Sequence, residues 1–472
     1  MRPNLPVLAT RRDSDFLHCV QPGPTDLAVL HQQHPEAMPF LLHSSGRAGL
    51  RQRYSMLLAQ ADQPPLLAPA RPPAAAAQAS LGEDDFLSRL AADYHAAAIP
   101  AVSTELPFVG GWFIYLAYEL AAQIEPVLKL PQATQPIAAA WRCDGAVIVD
   151  HWQQNTVLVA ESADILARLQ DLLRSSGNIV RPDATAAKAL QWQIEAENGA
   201  RFCAGVERIK QWIAAGDVFQ VNLSRGWRAL TERPIATSQL ALLLYQSLCQ
   251  RNPAPFAGLA HMFGGTLVSA SPERLLAVSD RQVSTRPIAG TRPRGADAKQ
   301  DRQLLRELLD HPKERAEHIM LIDLERNDLG RVCEVGSIQV DELMVSESYA
   351  SVHHIVSNVS GRLRTGLTPV DAIAATFPGG TITGCPKVRC MQIIAELEQQ
   401  PRHFYTGSMG YLSRHGNMDL NILIRSLWCQ DQVIDWRCGS GIVADSVAAS
   451  ELAETEAKAA GIIRSLHHLG AG

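Results

Sequence analysis

The sequence predicts an α+β fold built on antiparallel strands, and three observations carry that expectation. Strand-like alternation and helix-like spacing of apolar residues succeed one another along the chain. Several connections between strand candidates are too short to hold a crossover helix. Hydrophobic residues make up 46% of the 472, enough for a large core and for either two domains or one large layered one. The net charge is −5 and no Lys/Arg-rich block occurs, which argues against nucleic acid or an anionic membrane as partner. No apolar run is long enough to span a bilayer and the N-terminus lacks the pattern of a secretory signal, so a cytoplasmic protein is expected. Nine cysteines without a C-x-x-C pair speak against a disulfide framework or a zinc site.

The elements follow in order. Residues 38–46 look like a buried strand ending in a turn. The Pro/Ala-rich stretch 63–77 reads as an exposed excursion that does not pair in a sheet. A helix is predicted near 84–98, a strand over 106–118 entered through Gly110-Gly111, and strands over 145–152 and 156–160. The polar segment 175–188 marks a linker between an N-terminal region, 1–180, and a second region, 195–468. Beyond it lie a helix over 200–215, a strand over 218–224, further strands over 265–268, 337–340, 407–412 and 420–428, and helices near 301–328, 369–376, 387–398 and 446–468.

The stretch Phe377-Pro378-Gly379-Gly380-Thr381-Ile382-Thr383-Gly384-Cys385-Pro386-Lys387 runs into the helix predicted from 387. Such a glycine loop before a helix is a way to hold an anion, and its spacing matches neither nucleotide fingerprint. A small carboxylate is the expected ligand. Cys385 has no accompanying His or Asn motif of a thiol enzyme. Two carboxylate pairs, Glu314 with Glu317 and Glu451 with Glu454, are spaced i, i+3 on predicted helices and present both acids to one face. Alone, such pairs are ordinarily solvated surface.

Four stretches then carry a family likeness: Arg286-Pro287-Ile288-Ala289-Gly290-Thr291-Arg292-Pro293-Arg294, Ile322-Asp323-Leu324-Glu325-Arg326-Asn327-Asp328-Leu329-Gly330-Arg331, the glycine loop, and Gly439-Ser440-Gly441-Ile442-Val443-Ala444-Asp445-Ser446. In that order the chain resembles the chorismate-binding enzymes, the family of anthranilate synthase component I, aminodeoxychorismate synthase component I and the isochorismate and salicylate synthases. The likeness runs from about residue 200 to the C-terminus, with weaker echoes at 106–118 and 41–45. Gly380-Thr381-Ile382-Thr383-Gly384, Val352-His353-His354-Ile355, Gln220-Val221-Asn222-Leu223 and Gly410-Tyr411-Leu412-Ser413 look more like the aminodeoxychorismate branch. One residue departs from it: where many members of that branch have a lysine thought to attack the ring, this chain has Ala289, as anthranilate synthase does.

The resemblance implies a large two-lobed sandwich of antiparallel sheets with helices outside and the active cleft between the lobes. It implies Mg²⁺ held by Glu317 and Glu454, with Glu314 and Glu451 supporting. It makes Arg425, with Tyr405 beside it, the clamp on the enolpyruvyl carboxylate, with Lys458 near the metal-bound carboxylate and Lys387 as a further cation. Gly290, Gly439 and Gly441 would let backbone approach the ligand, and His354 would stand at the C4 hydroxyl with Thr291 and Thr381 hydrogen-bonding nearby. The activity implied is amination of chorismate at C4 for p-aminobenzoate and folate synthesis, with anthranilate formation as the alternative. The chain has no Gly-x-Cys-x-Gly nucleophile loop, so ammonia would come from solution or from a separate glutamine amidotransferase subunit. Leu41-Leu42-His43-Ser44 resembles the segment that binds tryptophan in relatives, with Ser44 in the pocket, and reads equally well as plain core strand.

Overall fold

The structure is a computed structural model that describes residues 10–12, 15–43, 53–70, 85–100, 102, 104–175, 190–251, 253–349 and 352–470. Its strands join through antiparallel pairings into one 22-stranded sheet. The long strand Ala138–Asp150 folds that sheet into two layers. Its first half pairs with Leu66–Ala68 and Gly111–Leu116, its second half with Tyr54–Gln60 and Asn155–Ala160.

Alternation along the strands decides which side chain goes where. Phe40, Leu58 and Ile148 turn inward and share one core with Phe113, Leu276 and Leu420 of the other layer. Their chain neighbours Leu41, Leu57 and Val147 turn outward into a second core, under the helices Leu27–Gln33 and Ala163–Ser175. A third core lies under the helices Gly199–Ala214 and Lys387–Glu398. Strands from the two ends of the sequence interleave: Phe40–His43 pairs with Phe256–Met262, and Gly111–Leu116 with Ser408–Ser413. The expected linker falls almost wholly on 176–189, outside the described residues. Among the described residues no helix is long and apolar enough to cross a membrane.

Three elements differ from expectation. The helix predicted near 301–328 is two, Ala298–Asp310 and Pro312–Gly330, because Pro312 cannot continue the first and instead opens the second. The strand predicted over 420–428 is also two, Met418–Asn421 and Ser426–Gln430. Between them Arg425 sits at φ +50, a left-handed conformation in which a residue with a Cβ is strained. Within the Pro/Ala-rich stretch, Leu66–Ala68 does pair, with Ala138–Ala140, while 71–84 lie outside the described residues.

Candidate active site

A bulge begins the site. Strand Ile288–Pro293 pairs with Val352–Arg362, and the register shifts between Ala289 and Thr291. The residue between them, Gly290, has φ +64, and a Cβ there would lie 2.8 Å from Glu314 Oε2. Glycine therefore lets the helix Pro312–Gly330 close onto the strand. Beyond the bulge Thr291 faces His354, with Thr291 Oγ1 and His354 Nδ1 2.9 Å apart. Glu314 is paired with Arg292 at 3.1 Å.

The second pair of strands brings in the remaining acids. Gln220–Thr231 runs antiparallel to Val433–Ile442. At its start Gln220 Nε2 donates to Glu317 Oε1 at 2.7 Å, and Gly441 leaves room for that amide. Ser440 Oγ donates to the Glu451 carboxylate. Lys458 Nζ donates to Gly439 O at 2.8 Å and pairs with Glu454 at the same distance. The Tyr405 hydroxyl lies against Gly439, where a Cβ would come within 2.8 Å of it. Carboxylates from two helices far apart in sequence thus reach the same strand ends, Gln220 and Gly439 to Gly441.

Electrostatics separates the roles of the polar groups. Arg425 keeps some accessible surface, while the protein packed around its guanidinium holds its pKa below the usual arginine value. Among the described residues it has no hydrogen-bond or ion-pair partner. His354 is buried, and burial together with the Arg425 charge lowers its pKa to about 4. It is therefore a neutral imidazole at neutral pH, and its Nε2 is buried without a partner. Burial raises the Tyr405 phenol, which stays protonated.

The residue that reasoning from the sequence missed is Glu273. It follows the fully buried strand Gly265–Ser271 and is itself buried. Burial raises its pKa to about 7, while Thr381, the Ile288 amide, Arg425 and Lys458 act to lower it. Its Oε1 and the Thr381 hydroxyl are both buried without a hydrogen bond of good geometry. Ser271-Pro272-Glu273, a carboxylate beside proline at the end of an apolar strand, is the one signal that pointed there.

Of the other expected residues, one lies elsewhere and one is not described. Lys387 turns into the protein, its Nζ 2.5 Å from Asp328 Oδ2 and 3.0 Å from Thr376 O. Ser44 lies outside the described residues; its neighbour His43 hydrogen-bonds Tyr245. The glycine loop is also packed more tightly than an open anion cradle. Its Gly384, at φ +128, pairs with Val221, and a Cβ there would meet Gln220 O at 2.1 Å. Burial raises the Cys385 thiol, and all nine cysteines are free.

A profile of the family described as chorismate binding enzyme matches residues 47–464. The chain belongs to the chorismate-binding enzymes. Among similar curated members of this family is an anthranilate synthase component I-like protein of Synechocystis, 43% identical over 370 residues, covering 78% of this chain and 75% of that one. Another is aminodeoxychorismate synthase component 1 of Bacillus subtilis, 39% identical over 375 residues, covering 76% and 77%. The crystal structure of anthranilate synthase component I from Streptococcus pneumoniae superposes with a TM-score of 0.73 at 30% identity, over 88% of this chain and 93% of that one. The chain is thus a chorismate-utilising enzyme, with the α+β fold and large antiparallel sheet of its relatives. A chorismate-binding enzyme must seat a dianion, and here the charges of the Arg425 guanidinium and the Lys458 ammonium reach a buried carboxyl.

Proposed function

We propose that this enzyme aminates chorismate at C4, giving 4-amino-4-deoxychorismate with the enolpyruvyl group left in place. The observation that carries the chemistry is Glu273, a buried carboxyl that retains its proton into the neutral range. Replacing a ring hydroxyl by nitrogen is difficult because hydroxide leaves poorly, and a positioned acid removes that difficulty. Arg425 and Tyr405 bind the enolpyruvyl carboxylate, which orients the ring so that the C4 oxygen faces the acid. Nitrogen bonds to the ring, the C4–O bond breaks, and the Glu273 proton leaves with that oxygen as water. His354, neutral and held by Thr291, offers a hydrogen bond and not a charge.

Among the described residues no three His, Cys, Asp or Glu side chains form a ready metal cluster. Instead each of the four expected carboxylates is engaged, by Arg292, Gln220, Ser440 or Lys458. The donors are all carboxylate oxygens, which suits a hard ion such as Mg²⁺ and neither zinc nor copper. Glu317 and Glu454 would hold it, with Glu314 and Glu451 in support. The ion would supply Lewis acidity at the ring carboxylate.

The branch rests on the four sequence stretches that resemble aminodeoxychorismate synthase. Ala289 favours a second reading, formation of anthranilate, because it is buried against Ile355 and offers no amine. In our reading ammonia, delivered by a separate glutamine amidotransferase subunit, takes the place of that amine. Incubation with chorismate, Mg²⁺ and ammonium should yield 4-amino-4-deoxychorismate by mass spectrometry; fluorescent anthranilate formed without an added lyase rejects the assignment. A second test restores the amine. Ala289→Lys, given chorismate without ammonia, should gain the mass of a covalent adduct, and a variant that binds chorismate without adduct excludes that route for this pocket.

A further inference from the structure

Behind Glu273 lies a second set of buried acids that the chemistry above does not use. Glu325 and Asp328, on the helix Pro312–Gly330, are 6% and 4% exposed. The groups facing Glu325 are Asp328 from its own helix, Lys387 from the helix Lys387–Glu398, Thr285 from the strand Gln282–Thr285, and Glu273. Burial first, then the Asp328 charge, raises Glu325 to about 8, and the Glu273 charge acts in the same sense. Asp328 is paired with Lys387 at 2.5 Å, and the Arg331 charge also reaches it.

Polar groups lie close to both carboxyls. A Cβ on Gly380 would lie 3.6 Å from Glu325 Oε1, and the next residue, Thr381, places its hydroxyl beside Glu273. Glu273 Oε1, Thr381 Oγ1 and Thr285 Oγ1 are all buried without a hydrogen bond of good geometry, with Thr381 facing Glu273 and Thr285 facing Glu325. Orphaned polar atoms grouped in this way are ordinarily satisfied by ordered water.

We infer that Glu325 is a proton store for Glu273, returning a proton to it through the Thr381 hydroxyl and buried water after each turnover. This rests on the reading of Glu273 as the acid. The balance is simple. Glu273 loses its proton to the departing oxygen, which leaves as water, and ammonia that has become a ring ammonium group returns none. The Glu325 O–H bond then breaks, an O–H bond forms on Glu273, and the Glu325 carboxylate, near the Lys387 ammonium, waits for a proton from solvent.

The test is rapid-quench kinetics on the full chain with chorismate, Mg²⁺ and ammonium at pH 6, where Glu273 begins protonated. Glu325→Gln resembles the neutral acid and keeps its shape, so the fold should stand, checked by thermal melting and chorismate binding. We expect a first turnover at the wild-type rate, seen as a burst equal to the enzyme concentration, then a steady state at least 10-fold slower. Glu325→Asp should recover part of that loss. An unchanged steady state, or a first turnover slowed as much as the later ones, overturns the store. Glu273→Gln should lose the burst itself; if it keeps the burst, the reading of Glu273 fails whatever Glu325 does.

Discussion

Glu273→Gln should lower the rate of amination by about 10²- to 10⁴-fold, the usual contribution of a positioned general acid, with little change in chorismate affinity. The sign of the pH dependence follows from its environment. The acid acts only while protonated, and its pKa is raised to about 7 in the folded protein. The wild-type rate, expressed per free ammonia, should therefore be highest below that value and fall as pH rises through it. Stability has the same direction. A carboxyl whose folded pKa is raised disfavours folding as pH climbs from its unfolded value toward the folded one. The variant should show a flat profile, and a profile that keeps its fall would place the titrating group elsewhere. Chorismate binding brings two further negative charges near the carboxyl and should move the midpoint up in the bound state.

Arg425→Met should cost on the order of 10²-fold or more in kcat/KM, most of it in KM for chorismate. Losing one partner of a hydrogen-bonded, desolvated charge pair costs about 2–5 kcal/mol. Arg425 has no such partner among the described residues until an anion arrives, so its removal should leave thermal stability nearly unchanged. Its charge lowers both His354 and Glu273, so the same substitution should move the fall in rate to higher pH. Steady-state kinetics over pH 6 to 9 reads both effects. An unaltered KM would remove Arg425 from the binding site. Arg425→Lys keeps the charge and loses the planar fork, and should restore the pH midpoint better than it restores KM.

Much of this architecture was legible from pattern. Periodicity located the helix Lys387–Glu398, the C-terminal helix and most core strands, because one face of each is apolar at the right spacing. The i, i+3 glutamates were visible because a helix puts such residues on one face. What was not legible depends on partners far away in sequence. Residues 421–426 contain no Gly or Pro to announce a break, and their irregular course is held by Thr406 N donating to Leu423 O and Leu423 N to Gly407 O. Lys387 is a cation near an expected anion site in the sequence, but its partner Asp328 lies 59 residues upstream. Glu273 is one glutamate beside a proline, and its proton affinity comes from burial, which outweighs the opposing charges of residues 425 and 458.

The interleaving of strands ties the N-terminal half to the strand that carries Glu273. Phe40–His43 is bonded to Phe256–Met262, which is bonded to Gly265–Ser271, and Glu273 hangs two residues past the end of that last strand. Two strand spacings are roughly 10 Å, so residues 40–43 and the strand that leads to Glu273 belong to one hydrogen-bonded ladder.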